Sequence, residues 1–261
     1  MSRRPQPGFT LVELLVVIVI IALLAALITP AVMAAMRAAK RTAITTEINS
    51  LASAVEAYRA KYNAYPPDTD AGLKAHLKNI FINADPSYID STVPSFSDNG
   101  AQILVYCLRG YTQNKRKPLP VLPINGSQDA NGNTVDNFFT FKSDRLTTGN
   151  TPIYLAPSAL NSAYVYFDCS RYQKNNSSAT YTPPSGNGTG STQPYITGKD
   201  TSSGRRLYCN PASFQIISAG LDGDFGANSA EKTFPKGDNY GPGDQDNLTN
   251  FSTGTLDDSK P

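Results

Sequence analysis

The residues that carry most enzyme chemistry are scarce in this sequence. One histidine occurs in 261 residues, His76, on a short amphipathic stretch where it reads as a helix residue rather than a base. No G-x-S-x-G elbow, no Cys/His cluster of metal-ligand spacing and no phosphate-cradling glycine motif is present. These absences remove the common hydrolases, zinc enzymes and nucleotide-dependent enzymes from consideration. A pair of carboxylates of the glycosidase kind leaves no sequence signature, so that rival turns on whether the fold opens a cleft with two acids. Charge of one sign is also lacking: 23 basic residues face 21 acidic ones, which gives no electrostatic footprint for nucleic acid. Cysteine is limited to Cys107, Cys169 and Cys209, enough for one disulfide in any of three pairings or for three buried thiols.

What the sequence does contain is a long apolar run with a carboxylate near its start, "GFTLVELLVVIVIIALLAALITP" from residue 8 to residue 30. From Leu14 to Ile28 there is no polar side chain, and after Glu13 no charge appears until Arg37. At ~1.5 Å per residue a helix over this stretch crosses a hydrocarbon core of ~30 Å. An ordinary secretory signal would use Arg3 and Arg4 as its basic region, but Glu13 sits in the apolar segment and no A-x-A pattern follows it. An ionised acid at the centre of a spanning helix costs roughly 2.5 to 3.5 kcal/mol, less near the interface, so Glu13 is a functional candidate in want of a cation.

The basic leader, the run Gly8-Phe9-Thr10-Leu11-Val12-Glu13 and the apolar helix carrying Pro30 together resemble the class III signal of type IV pilins and type II secretion pseudopilins. The resemblance implies that a prepilin peptidase cuts after Gly8 and methylates the new amino terminus at Phe9. It implies also that Glu13 pairs with the terminal amine of a neighbouring subunit during filament assembly, which supplies the missing cation. Removal of residues 1 to 8 leaves 21 basic against 21 acidic residues. The basic residues flanking the run, Arg3 and Arg4 against Arg37, Lys40 and Arg41, do not decide orientation. The resemblance places the leader in the cytoplasm, the helix in the bacterial inner membrane and the head in the periplasm.

Past Pro30 the helical pattern resumes, with Ile44, Ile48, Leu51, Val55, Tyr58 and Tyr62 forming one apolar stripe. One helix is expected from about Phe9 to Tyr62, with a kink or local melting at Pro30, where the carbonyl of Ala26 loses its donor and Thr29 stands near to replace it. "YNAYPPDTDAGLKAHLKNIF" then stops the helix at Pro66 and Pro67 and opens a second, short one. Tyr65, Pro66, Asp70, Gly72 and Leu73 in this stretch are similar to the turn of major pseudopilins. Residues 83 to 210 are an insertion relative to that family. Strands are expected at 102 to 108, 137 to 142 and 162 to 170, and a surface loop at 173 to 204.

The C-terminal part runs from an expected strand, Phe214 to Ala219, into a glycine-rich loop, and residues 220 to 261 hold eight acids against three bases. Asp222, Asp224, Asp238, Asp244 and Asp246, with Asn247 and backbone carbonyls, are candidate hard oxygen ligands for Ca²⁺, or a solvated acidic turn. Major pseudopilins carry a calcium loop after a similar Ser-Ala-Gly-x-Asp-Gly run, which favours a structural Ca²⁺.

The expected fold is α+β and pilin-like: leader 1–8, transmembrane and assembly helix 9–36, and a periplasmic head 37–261 with an antiparallel sheet. The expected function is structural, not enzymatic: a type II secretion pseudopilus subunit, with a type IV pilus subunit as the alternative. Its partners would be copies of itself, the prepilin peptidase, an inner-membrane assembly platform and minor pseudopilins, with energy from a separate ATPase. Glu13 argues against the tip-type minor pseudopilin, which lacks that acid. An anchored glycan-binding module is a further class, because 14 tyrosines and 11 phenylalanines offer a stacking surface if the fold exposes them.

Overall fold

The computed structural model describes residues 10–97, 99–121, 127–157, 161–227 and 231–261. The chain divides into two compact units, Met1–Lys40 and Arg41–Pro261. Helix α1, Leu11–Tyr62, belongs to both. It contains no glycine and is rich in alanine and leucine, residues with little helical cost. Local melting at Pro30 does not appear: the helix is continuous through it. The Thr29 hydroxyl donates to the carbonyl of Ala25 at 2.7 Å, one residue before the Ala26 carbonyl freed by the proline. The large apolar side chains between Leu11 and Met36 are exposed. This segment is long and apolar enough to cross a membrane.

In the second unit α1 buries Ile44, Ile48, Leu51, Ala54, Val55 and Tyr58, the expected stripe, with Tyr62 half-buried at its end. Helix α2, Asp70–Ile80, buries Leu73 and Leu77. Helix α3, Pro86–Thr92, starts at Asp85, whose side chain accepts from the Ser87 amide at 2.8 Å. Helix α4, Asn99–Leu108, occupies the run expected to be a strand. Ala101 to Leu108 are all buried, so the run has no polar face, and a continuous apolar stretch has no periodicity that separates helix from strand.

Strands β1, Tyr111–Thr112, and β2, Val135–Asp136, form a small antiparallel pair. The expected strand at 137–142 is irregular chain instead, and its phenylalanines Phe138, Phe139 and Phe141 pack as partly buried residues on the helical core. Strand β3, Tyr164–Phe167, leads into helix α5, Cys169–Asn175. Strand β4, Ile196–Lys199, lies inside the stretch read as a surface loop and forms a second antiparallel pair with β5, Arg206–Tyr208, just after it. Strand β6, Gln215–Ser218, is followed by the one-turn helix α6, Pro242–Gln245, and strand β7, Leu248–Thr249. The central antiparallel sheet has the order β3-β6-β7.

Strand alternation sorts the core into two layers. On one face Tyr164, Tyr166, Ile216 and Leu248 join the cluster containing the α1 stripe, α2 and α4. On the other, Val165, Phe167, Ile217 and Ala219 pack with Tyr172, Tyr195, Ile196, Tyr208 and Phe225. Residues between α4 and β6, with Phe225 and Leu256, therefore cover the face of the sheet that α1 does not. That burial explains why β3 reads as an unbroken apolar run rather than an alternating one. All three cysteines are buried free thiols.

Candidate functional site

At the start of α1, Thr10 and Glu13 hold each other. The Thr10 amide donates to Glu13 Oε2 at 2.8 Å, and the Glu13 amide donates to Thr10 Oγ1 at 3.2 Å. A second bond, from the Thr10 hydroxyl to Glu13 Oε2, is 2.8 Å long. This reciprocal pair is a capping box, satisfying helix N–H groups that have no partner within the helix. Its signature, Thr-x-x-Glu ahead of an apolar run, stands in the sequence and assigns Glu13 a partner within its own helix. Gly8 and Phe9 lie outside the described residues.

The candidate calcium ligands are distributed over separate contacts. Asp246 Oδ1 accepts the Arg41 guanidinium at 2.7 Å, and its Oδ2 accepts the Leu221 and Asp222 amides at 2.5 and 3.2 Å. Asp222 accepts the Asp224 amide at 2.9 Å, and burial, helped by Asp246 and Asp224, raises its pKa. Asp224 accepts the Gly226 amide at 2.9 Å, and Asp238 accepts the Thr233 hydroxyl at 2.7 Å. Asp244 is fully buried: Oδ1 is paired with the Lys232 ammonium and accepts the Tyr195 hydroxyl at 3.0 Å, while Oδ2 accepts the Gly241 amide at 2.8 Å. Asn247 donates to the Tyr195 hydroxyl at 3.3 Å and to the Phe225 carbonyl at 3.4 Å. Among the described residues no group of three or more His, Cys, Asp or Glu side chains is placed to hold a metal. As arranged, these residues do not fit a calcium cage, which wants about six to eight oxygens converging on one point.

The loop is nevertheless tightly built. Gly220 has φ +61°, and a Cβ there would lie 2.1 Å from the Asp246 carbonyl, so only glycine lets the chain leaving β6 pass this close to the segment before β7.

Residues 3–29 match the model of the prokaryotic N-terminal methylation motif. The chain carries a type IV pilin-like signal. Such a signal implies cleavage by a prepilin peptidase and filament assembly, and the apolar helix behind it is consistent with membrane anchoring. No curated protein and no solved structure matches the chain. The architecture behind the pilin-like signal, a long N-terminal helix and antiparallel sheets in the head, is α+β and pilin-like.

Two further carboxylates, unread in the sequence, fasten the head. Glu47 on α1 accepts Arg145 Nη1 at 2.7 Å, Tyr154 OH at 2.8 Å and Tyr164 OH at 2.7 Å, and Arg145 Nη2 completes a bidentate pair. Burial alone would raise the Glu47 pKa, but hydrogen bonds from Arg145, Tyr164 and Tyr154 outweigh it and hold the carboxyl below its ordinary value. The signal for it was an acid one residue from Ile48 on the buried stripe of a helix. Asp68, after the Pro66-Pro67 turn, accepts Arg171 Nη2 at 2.5 Å and the Asp168 amide at 3.1 Å, and binds the Tyr172 hydroxyl. It lines a cavity of about 370 Å³ with Phe167, Tyr172 and Tyr181. Asp168, close behind, is raised in pKa by burial and by Asp68. No described tyrosine or phenylalanine is exposed, so the described surface offers no aromatic platform for a glycan.

Proposed function

We propose that this protein is a structural subunit of a type II secretion pseudopilus, polymerising through α1 after prepilin-peptidase processing. The observation that carries the reading is the methylation motif over residues 3–29, with Glu13 near the start of an apolar helix. The secretion branch is supported by the Tyr65-Pro66 turn and the Gly72-Leu73 pair. In the fold this turn is a fixed joint, with the Pro66 carbonyl accepting Tyr166 OH at 2.7 Å and Leu73 fully buried.

The assembly chemistry follows from where Glu13 sits. Cleavage after Gly8 creates an amine at Phe9, four residues from Glu13. A neighbour's amine at the same membrane depth would neutralise the acid, removing the cost of carrying a charge in lipid. Thr10, which caps the helix through the same carboxylate, keeps Glu13 oriented until the neighbour arrives.

The mature protein should begin at Phe9 with an N-methylated amine, as read by intact mass. Glu13→Val should enter the membrane as well as the native chain, because a desolvated charge has been removed, yet fail to assemble. Loss of extracellular enzymes from the medium in that variant supports the pseudopilus. Loss of surface fibres with secretion intact would assign the protein to a type IV pilus instead, and an unprocessed Met1 would sink both.

A further inference from the structure

We propose that the ammonium of Lys232 is the resident cation of the C-terminal acidic loop, so that the head closes without a divalent metal. Lys232 and Asp244 are both buried, with side chains 2% and 0% exposed. The ammonium reaches the Asp244 carboxylate and donates to the Phe225 carbonyl at 3.2 Å. Both are hard oxygens of the kind a cation recruits, one from a carboxylate and one from the backbone. The Tyr195 ring adds its face, with the ammonium 6.0 Å from its centroid, and the Tyr195 hydroxyl donates to the same carboxylate.

Charge accounting favours the same view. The one fully buried aspartate of the loop is matched by one buried ammonium, and Asp246 is matched by Arg41. Asp222 and Asp224 are turned to amide donors. A divalent ion at Asp244 would meet a buried ammonium already in place, and Lys232 would have to leave the interior for it to bind. The opposing feature is the Asn247 side-chain oxygen, buried with no hydrogen-bond partner among the described residues and the first atom a metal would recruit.

The insertion holds the lysine there. The Ile196 amide of β4 donates to the Lys232 carbonyl at 3.1 Å, and the Phe234 amide donates to the Ile196 carbonyl at 2.8 Å. Tyr195, the residue before β4, supplies the hydroxyl. A head with this insertion brings its own cation and the brace that positions it.

The full chain in detergent should melt at the same temperature with calcium, magnesium or chelator. Lys232→Met should lower that temperature by roughly 10 °C, because it strands a buried carboxylate, and Lys232→Met with Asp244→Asn should recover part of the loss. Should the single variant not fold, native-state acetylation followed by mass spectrometry decides. Lys232 should be protected equally with calcium and with chelator, while Lys199, with a side chain 54% exposed, labels rapidly. A clear rise in melting temperature with calcium, Lys232 labelling as fast as Lys199, or an unchanged melting temperature in Lys232→Met would overturn the proposal.

Discussion

His76 shows how a residue dismissed as a catalytic base still has a physical consequence. Its Nε2 lies 2.8 Å from the hydroxyl of Tyr58, which is fully buried on α1. Burial pushes the His76 pKa down to about 4, so the folded head holds the imidazole neutral. The unfolded chain takes up a proton near pH 6.5, roughly, and the folded one resists until about pH 4. The unfolded state therefore binds more protons across that window, and stability falls as pH falls. The loss should reach on the order of 2 to 3 kcal/mol by pH 4 and be absent in His76→Gln, read from urea midpoints at three pH values. Parallel profiles for the two proteins would show that the imidazole is not the group responsible. Glu47 adds a second acid-sensitive contribution. Its depressed pKa stabilises the head above the ordinary carboxylate range, and that gain disappears as acid drives the pH through the folded value.

Between elements, the contact that fixes the head is α4 against β3. Gly100, in the first turn of α4, sits so close to the sheet that a Cβ would lie 2.0 Å from the Tyr166 carbonyl. The backbone atom cannot yield, so Gly100→Ala should separate helix from strand and cost roughly 1 to 3 kcal/mol, although alanine is the better helix former. Thermal melting of the variant checks this, and an unchanged or raised midpoint would mean that α4 can slide. The same contact explains why α4 reads as a strand. Its residues meet apolar partners on every side, so local pattern carries no helical face. Helix α2 was legible because it lies at the surface and keeps a polar face beside Leu73 and Leu77.

For the molecule as a whole, the distribution of exposed apolar surface separates two environments. Nearly all the exposed large aliphatic side chains lie between Leu11 and Met36, and elsewhere among the described residues only Ile82, Val121 and Leu207 are exposed. A chain starting near Arg41 should therefore be soluble without detergent and unfold in one cooperative transition, while the full chain requires a membrane or micelle. Size-exclusion chromatography and calorimetry test this. Aggregation of the shortened head would mean that part of its core depends on residues before Arg41.

The apolar run long enough to cross a membrane, the methylation motif and the amphipathic half of α1 were determined by the sequence alone, because each is a local pattern: an apolar run, a short motif, a helical period. The strands β3 and β6 were legible for the same reason. The two-sided burial of the sheet, Glu47 bound to Arg145, and Lys232 paired with Asp244 were decided by the tertiary structure. Arg145 is 98 residues from Glu47, and Tyr195 is 49 from Asp244. Five aspartates in a glycine-rich loop suggest a metal whenever their compensating cations are not visible. Arg41 lies 205 residues away from Asp246 in the chain, and the buried position of Lys232 exists only once β4 has paired with its backbone. Charge compensation acts through space at a few ångströms, and no local pattern in the chain records which groups folding will bring that close.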